Sequence, residues 1–316
     1  MTSKKISVCM AIYNGQKYII EQLESIYNQS WEVDEVVICD DNSSDDTVQI
    51  VKGFIVGHNL QDSWHLYCNE DTKGYPSNFY YAMSLCQGDV VFLADQDDVW
   101  ETDKIEVMTR TMCENEEILL LASAWKPMNA EGKIIGKSVF GNHITCNKEK
   151  VSSAQIFYKY CWPGMSMCYK HEFGQSVLEE VNDTKMFHDV ALAMCAARAE
   201  GFWSINKCLQ YHRNHDDNVA LGEHRFLKLL NKNRKIMEIE RYLDMMSEII
   251  KNPKLLDGYR EIVLRKQKIM QERLQNLKGK RFFEIIKQYL LNRDIIRIST
   301  VICDCLICFG KEEEHN

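Results

Sequence analysis

Phe92-Leu93-Ala94-Asp95-Gln96-Asp97-Asp98-Val99-Trp100 is the stretch whose reading decides the fold. Three carboxylates fall within four residues, directly after the apolar run Val90 to Ala94. A short continuous apolar run bounded by turn signals predicts a strand buried on both faces. The acids then stand at its C-terminal end, where open α/β sheets bind ligands. Crowded anionic side chains are unfavourable there unless a cation or hydrogen-bond donors neutralise them. Asp95 and Asp97, two apart, can reach one hard cation, and oxygen ligands suit Mg²⁺ or Mn²⁺. The plainer alternative is an acidic surface turn that caps the next helix.

The same punctuation recurs on either side. Ile6 to Ile12 is an apolar run that stops at Tyr13-Asn14-Gly15, and Ile19, Leu23 and Ile26 follow at helical spacing. Val36 to Cys39 runs into Asp40-Asp41-Asn42-Ser43-Ser44-Asp45. Val48, Val51 and Ile55 then mark a helix capped by Ser44 or Asp45. Trp64 to Cys68 reads as a third strand, and Ser77 as the cap of a helix reaching about Cys86. Strands alternating with helices predict a doubly wound, mostly parallel α/β sheet. Right-handed crossovers put its strand ends on one edge, so Tyr13-Asn14, Asp40-Asp41 and Asp95 to Asp98 should converge.

From about residue 102 the pattern changes. Asp103 to Cys113 predicts a helix, Ile118 to Ala124 a strand, and Ala130-Glu131-Gly132-Lys133 a hairpin turn. Trp162 to Met167 reads as a turn entering a strand. His188-Asp189 opens an alanine-rich helix that ends near Gly201. Phe202 to Gln210 holds one or two short strands, and Tyr211 to Asn218 reads as a polar loop. Beyond Gly222 the chain is almost continuously helical, broken at Pro253 and near Gly279. The expected division is a domain at 1–222 and a C-terminal helical appendage at 223–316, with the boundary at about 222 to 225.

Composition narrows the classes. The 316 residues are 45% hydrophobic, enough for a sizeable core. A net charge of −8 argues against a nucleic-acid surface. Thirteen cysteines, an odd number in no repeating frame, point to a reducing compartment. No apolar run reaches the roughly 18 residues that span a bilayer. Met1 runs almost straight into a strand, which leaves no room for a signal peptide. The expectation is a cytoplasmic protein that at most touches the inner face of a membrane.

Residues 4 to about 222 resemble a family 2 glycosyltransferase of the GT-A fold. The resemblance rests on Met10-Ala11-Ile12-Tyr13-Asn14, Asp40 to Thr47, Asp95 to Trp100, and His188-Asp189 followed by Arg213-Asn214-His215-Asp216-Asp217-Asn218. The Asp-Gln-Asp-Asp-x-Trp form is similar to rhamnosyltransferase-like enzymes of bacterial surface polysaccharides. The resemblance implies a nucleoside-diphosphate sugar donor, a glycan or lipid-linked acceptor, and a divalent metal. It sets Tyr13 against the nucleobase, with Ala11 and Asn14 beside it and Asp40 or Asp41 accepting from the base N–H. Lys73, Asn78 and Gln96 fall with the donor-binding groups. Asp95 approaches ribose or metal, Asp97 ligates the metal, and Asp98 supports the turn. His215 is the further metal ligand or diphosphate contact, Arg213 the phosphate clamp, and His212 an extra candidate. Asp189 is the general base of a single inverting displacement, with a plain N-cap as its alternative. Trp162, Gly164 and Met165 frame the acceptor side or simply pack. Val190-Ala191 stand where relatives often carry aromatic residues, which bears on the acceptor.

Two rival classes stay open on sequence. A nucleotidyltransferase also joins an α/β sheet to acidic metal ligands, yet Tyr13-Asn14-Gly15-Gln16 lacks a glycine-rich phosphate loop. A degenerate transferase could act as a non-catalytic scaffold. In the appendage, Lys278 to Ile298 joins basic residues to an amphipathic apolar pattern. That pattern suits an anionic membrane surface, a packing partner or a second subunit. Cys303, Cys305 and Cys308 lack a fourth partner for zinc.

Overall fold

The computed structural model describes residues 4–139, 147–159, 162–181, 186–215 and 231–309. The chain divides into two compact units, Met1–Ile156 with Tyr160–Asn214, and Phe157–Lys159 with His215–Asn316. The expected boundary at 222 to 225 lies outside the described residues.

The first unit opens with β1 (Ile6–Ile12), α1 (Ile19–Tyr27), β2 (Glu35–Asp40), α2 (Thr47–Gly57), β3 (Trp64–Cys68), α3 (Tyr75–Leu85) and β4 (Val90–Ala94). It continues with β5 (Val99–Trp100), α4 (Lys104–Cys113), β6 (Leu120–Met128), β7 (Lys148–Lys150), α5 (Ser153–Lys159, whose last three residues count with the second unit), β8 (Met167–Lys170), α6 (His171–Glu180), α7 (His188–Arg198) and β9 (Phe202–Arg213). One sheet runs in the order β3-β2-β1-β4-β8-β6-β9-β5, with β7 on β9. Its first half, β3-β2-β1-β4, is wholly parallel, as the alternating pattern predicts. Its second half mixes antiparallel β8 and β5 with a parallel β6–β9 pair. This is the mixed, doubly wound sheet expected of a GT-A-type fold.

Strand residues alternate between the two sheet faces. Ile6, Val8, Met10, Ile38 and Phe92 meet Ile19 and Leu23 of α1 and Val51 and Phe54 of α2 in one core. Helix α3 covers β1 and β2. It begins at Tyr75 rather than at Ser77, because Gly74 turns the chain at φ +85° and Pro76 fits the first helical turn. The N-cap of α2 is Asp46, not the expected Ser44 or Asp45, and it makes no side-chain cap bond; Asp45 Oδ1, just ahead of it, accepts from Thr47 N at 3.0 Å.

The largest departure from expectation is β9. Tyr211-His212-Arg213 was read as loop but forms the end of this strand, paired with β5 through Val99–Tyr211 and with β6 through Met128–Arg213. Strand β6 likewise runs on past Ala124 to Met128. The β9 extension carries polar side chains whose partners are tertiary, so no local apolar pattern announces it.

The second unit is helical: α8 (Lys232–Lys251), α9 (Pro253–Leu256), α10 (Arg260–Lys278), α11 (Phe282–Leu291) and α12 (Ile298–Phe309). Asn252 caps α9 ahead of Pro253, and Gly279 ends α10, so both breaks fall where the sequence places them. Ile269, Leu277, Ile285, Ile296, Val301 and Ile307 build its own core. Cys305 and Cys308 pack against that core, which accounts for them as a helix face. Every described cysteine is free. Among the described residues no helix is long and apolar enough to cross a membrane.

Candidate active site

The ends of β1, β2 and β4 meet on one sheet edge, and side chains tie their loops together. Gln96 clasps the backbone of Tyr13, accepting from its N–H at 2.8 Å and donating to its carbonyl at 2.9 Å. Asn14, held at φ 47°, accepts from Ser44 N at 2.8 Å, and its own N–H donates to Ser43 Oγ at 2.9 Å. The Tyr13 ring stays 52% exposed above this fixed backbone.

Asp40 and Asp41 are both buried. Asp40 accepts from Ser43 N at 3.0 Å and Ser43 Oγ at 2.5 Å. Asp41 accepts from the backbone N–H groups of Lys73 at 2.7 Å and Gly74 at 2.9 Å, and from Asn69 Nδ2 at 3.1 Å. Each carboxylate therefore organises a loop, and neither stands open to solvent. Asn78, expected beside the donor, is buried and donates to Cys39 O at 2.8 Å while accepting from Asn69. The Lys73 ammonium lies 5.0 Å from the Tyr81 ring centre.

The acidic loop after β4 is pinned from β9. Asp98 is fully buried, and its Oδ1 accepts from Arg213 N at 2.9 Å and faces His212 Nδ1 at 3.1 Å. Arg213, expected as a phosphate clamp, is 1% exposed instead. Its guanidinium donates to Asp97 O at 2.8 Å, Ala130 O at 3.2 Å and Glu21 at 2.6 Å, and stacks 4.7 Å from Tyr18. These bonds hold the loop in place and turn the side chain away from solvent. Asp95 and Asp97 are half-buried.

Beyond the loop, α7 begins at His188-Asp189. Asp189 is the second residue of α7, whose N-cap is Phe187 without a side-chain cap bond, so the N-cap alternative does not hold; its Oδ1 accepts from the adjacent Val190 N at 2.8 Å. His188 is fully buried, stacked 3.9 Å from Phe79, and its nitrogens have no hydrogen-bond partner among the described residues. Gly164 is needed beside it, since a Cβ there would come within 2.7 Å of His188 Nε2. Trp162 and Met165 are buried, with Trp162 Nε1 donating to Ser204 at 3.0 Å. They pack beneath the site.

The family model for glycosyl transferase family 2 matches residues 7–171. The chain belongs to this family. Chondroitin synthase of Escherichia coli is 24% identical over 75% of the chain and 34% of its own length. The Escherichia coli glucosyltransferase WfgD is 29% identical over 45% of the chain and 54% of its own length. The chain thus spans about a third to a half of these curated relatives. Staphylococcus aureus TarS 1-349, solved in complex with UDP-GlcNAc, aligns over 96% of the chain and 90% of its own at a TM-score of 0.58 and 17% identity. The Pyrobaculum calidifontis mannosyltransferase PcManGT, solved with GDP-Man and Mn²⁺, aligns over 98% of the chain and 86% of its own at 0.55 and 15%. These two likenesses carry the fold.

In this family 2 chain the metal question turns on ligand geometry. The metal set read from the sequence was Asp95, Asp97 and His215. The described residues whose ligand atoms lie within 4.8 Å of one another are Asp95, Asp98 and His212. Asp98 Oδ2 is buried there with no hydrogen-bond partner among the described residues. An unpaired buried carboxylate oxygen is costly, and a cation would satisfy it. His215 belongs to the second unit.

Electrostatics agree with a site built for positive charge. Burial, with Asp98 and Asp97 adding to it, pushes the Asp95 carboxyl well above the usual range. Asp98 is raised for the same first reason. Burial alone would lower His212, but the facing Asp98 outweighs it and carries the imidazole up to about 9. Two further residues escaped the sequence reading. Burial and the charges of Asp95, Asp189 and Asp97 push the Tyr75 phenol upward, which ties Tyr75 to both the acidic loop and α7. Lys104 lies fully buried, donating to Met165 O at 2.7 Å and 3.7 Å from the Trp100 ring centre. Burial pulls it down to about 7 against the pull of Asp98. A lysine opening a helix ordinarily reads as a solvated charge, so neither residue gave a local signal.

Proposed function

We propose that this chain transfers a sugar, with inversion, from a nucleoside-diphosphate sugar to a hydroxyl of a glycan or lipid-linked acceptor in surface polysaccharide assembly. One observation carries the reading: the Tyr13, Asp40-Asp41 and Asp95-to-Asp98 loops meet on one sheet edge, and Tyr75 feels both that acidic edge and Asp189. The family match sets the nucleotidyltransferase alternative aside. A uridine donor is favoured by the names of two relatives, a UDP-Glc transferase and a protein complexed with UDP-GlcNAc. The rhamnosyltransferase-like motif keeps a deoxythymidine-diphosphate sugar in the screen.

In this reading the exposed Tyr13 ring is the platform for the base, and Ala11, Asn14 and Gln96 hold the backbone under it. Asp41, with Lys73 beside it, is the favoured partner of the base N–H. Asp189 takes the proton of the acceptor hydroxyl as that oxygen attacks the anomeric carbon, and the nucleoside diphosphate leaves from the opposite face. A positioned base of this kind contributes roughly 10²–10⁴-fold. Asp95, Asp98 and His212 would hold a divalent cation, Mn²⁺ or Mg²⁺, with Asp97 as a further ligand. Such a cation supplies charge neutralisation on the leaving diphosphate. Arg213 acts as a positioning residue for the acidic loop.

Calorimetric titration with UDP, with and without Mn²⁺, tests the donor half. Slow hydrolysis of UDP-, GDP- and dTDP-sugars then selects the sugar. Metal-dependent binding of one nucleotide is expected. Binding without any hydrolysis or transfer would favour the scaffold alternative, and no nucleotide binding at all would end the proposal.

A further inference from the structure

We infer that α11 and α12 form a peripheral docking surface for an anionic lipid bilayer. The inference goes beyond the proposed transfer reaction and rests on the second unit alone.

Helix α12 is firmly oriented. Arg273 of α10 grips Asp304 through two bonds of 2.6 and 2.9 Å, both side chains being buried. Val301 and Ile307 turn into the core from the same face. The opposite face carries Ile298, Ile302, Leu306 and Phe309, at spacings of four, four and three, which is one continuous stripe. These side chains are 56, 53, 42 and 71% exposed. Phe283 and Leu291 of α11 are 82 and 71% exposed, while Ile285 and Gln288 face inward. The two exposed faces join, because Phe282 contacts Phe309 with ring centres 5.0 Å apart. Single exposed apolar residues need no explanation, but a contiguous stripe on an anchored helix pair does.

Charge selects the occupant. Residues 278–309 carry Lys278, Lys280, Arg281, Lys287, Arg293 and Arg297 against Glu284, Asp294 and Asp304, a net +3 in a chain of net −8. Asp304 is already paired inside the core. Arg281 precedes the first exposed phenylalanine, and Arg297 precedes the α12 stripe, both exposed. The charges of Lys232 and Lys280 are felt at Cys308, near the Phe309 end. Residues 310–316 add Lys311 and the three glutamates Glu312 to Glu314, and lie outside the described residues. An apolar stripe flanked by arginines and lysines suits a headgroup layer of negative charge, with the stripe entering the acyl boundary. A second copy of the chain suits it less well, since a two-fold interface would set the same cations against each other.

The test uses the full chain and flotation with vesicles of equal parts phosphatidylglycerol and phosphatidylcholine, or of phosphatidylcholine alone. Binding to the anionic vesicles should exceed that to neutral ones by roughly tenfold or more at low salt and fall at high salt. The triple variant Ile302→Ser, Leu306→Ser, Phe309→Ser should bind anionic vesicles about a hundredfold more weakly. Arg281→Gln with Arg297→Gln, which leaves the apolar stripe untouched, should lose about tenfold on anionic vesicles and nothing on neutral ones. UDP affinity should be unchanged in both variants, so this test fails or succeeds independently of the transfer reading. Equal binding to both vesicle types, or wild-type binding by both variants, overturns the inference. So does a chain that ignores vesicles but is a dimer by light scattering and becomes a monomer in the triple variant.

Discussion

Arg213→Met separates the two roles open to this arginine. Methionine keeps the stem and removes the guanidinium. The Asp97 and Ala130 carbonyls then lose charge-assisted donors that sit at 2.8 and 3.2 Å. Each such bond is worth about 1.5–3 kcal/mol. Glu21 is half-exposed, so water replaces its partner and that ion pair counts for only ~0–1 kcal/mol. The stacking on Tyr18 adds about 1 kcal/mol. Against these stands the desolvation of a buried guanidinium, a few kcal/mol that the variant no longer bears. The net expectation is a destabilisation of about 2–4 kcal/mol in the first unit, or a fall in Tm of roughly 5–15 °C. Thermal unfolding and UDP titration on the same preparation read it out. Arg213→Lys sharpens the comparison, because it keeps the charge but reaches only one acceptor. A positioning role predicts a clear stability loss in both variants, with UDP affinity changed only a few-fold at low temperature. A phosphate clamp predicts stability within about 0.5 kcal/mol of wild type, as for a surface change, and UDP affinity lost in Arg213→Met. That second pattern would refute the structural reading of Arg213.

Asp189→Asn should lower transfer by roughly 10²-fold or more while donor affinity holds and stability moves by a few tenths of a kcal/mol, since the amide oxygen can still accept from Val190 N. Normal turnover in that variant would leave Asp189 a structural residue in the first turn of α7. Asp98→Asn should weaken Mn²⁺-dependent UDP binding by about tenfold or more, because it removes a charged ligand yet can still accept from Arg213 N. Unchanged metal dependence would detach Asp98 from the metal. Lys266→Met tests the second unit through pH. Burial holds the Lys266 ammonium down from 10.5 to about 8, so the unfolded chain binds more protons between those values and stability rises with pH across that window. Below it the buried charge costs its full amount, and the variant should be more stable near neutrality by about 1–3 kcal/mol. Urea unfolding should show that advantage shrinking as pH approaches 10.5, and a constant difference would rule the assignment out.

What the sequence revealed and what it hid divide along a physical line. Strands β1, β2 and β4 are buried on both faces, so their apolar runs and the turns that end them are local signals. Topology then followed from chain order, and with it the meeting of the three acidic or polar strand ends. The end of β9 was invisible for the opposite reason. His212 and Arg213 are strand residues because Asp98, more than a hundred positions away, accepts from both. Nothing near them in sequence carries that information. The same holds for Lys104, whose burial depends on Met165 O and Trp100. The metal set shifted accordingly: spacing in the loop favours Asp95 and Asp97, but the fold brings Asp98 and His212 together with Asp95.

This division also explains why the strand ends carry more polar residues than a donor needs. A site must hold its reacting groups to within a fraction of an ångström, and loops do so only through side chains that bond other loops' backbones. Gln96 on Tyr13, Asn14 on Ser44 and Arg213 on Asp97 are bonds of that kind. Each commits hydrogen-bonding capacity to the fold, so the same atoms have less to offer a ligand. The groups proposed to meet ligands are others: the exposed Tyr13 ring, the half-buried Asp95, Asp97 and Asp189, and Asp98 through its Oδ2, which has no hydrogen-bond partner among the described residues. If that partition is right, substitutions of the first set should act on stability and those of the second on binding and turnover. The contrast between Arg213→Met and Asp189→Asn sets one member of each against the other, in a single protein and under the same two assays.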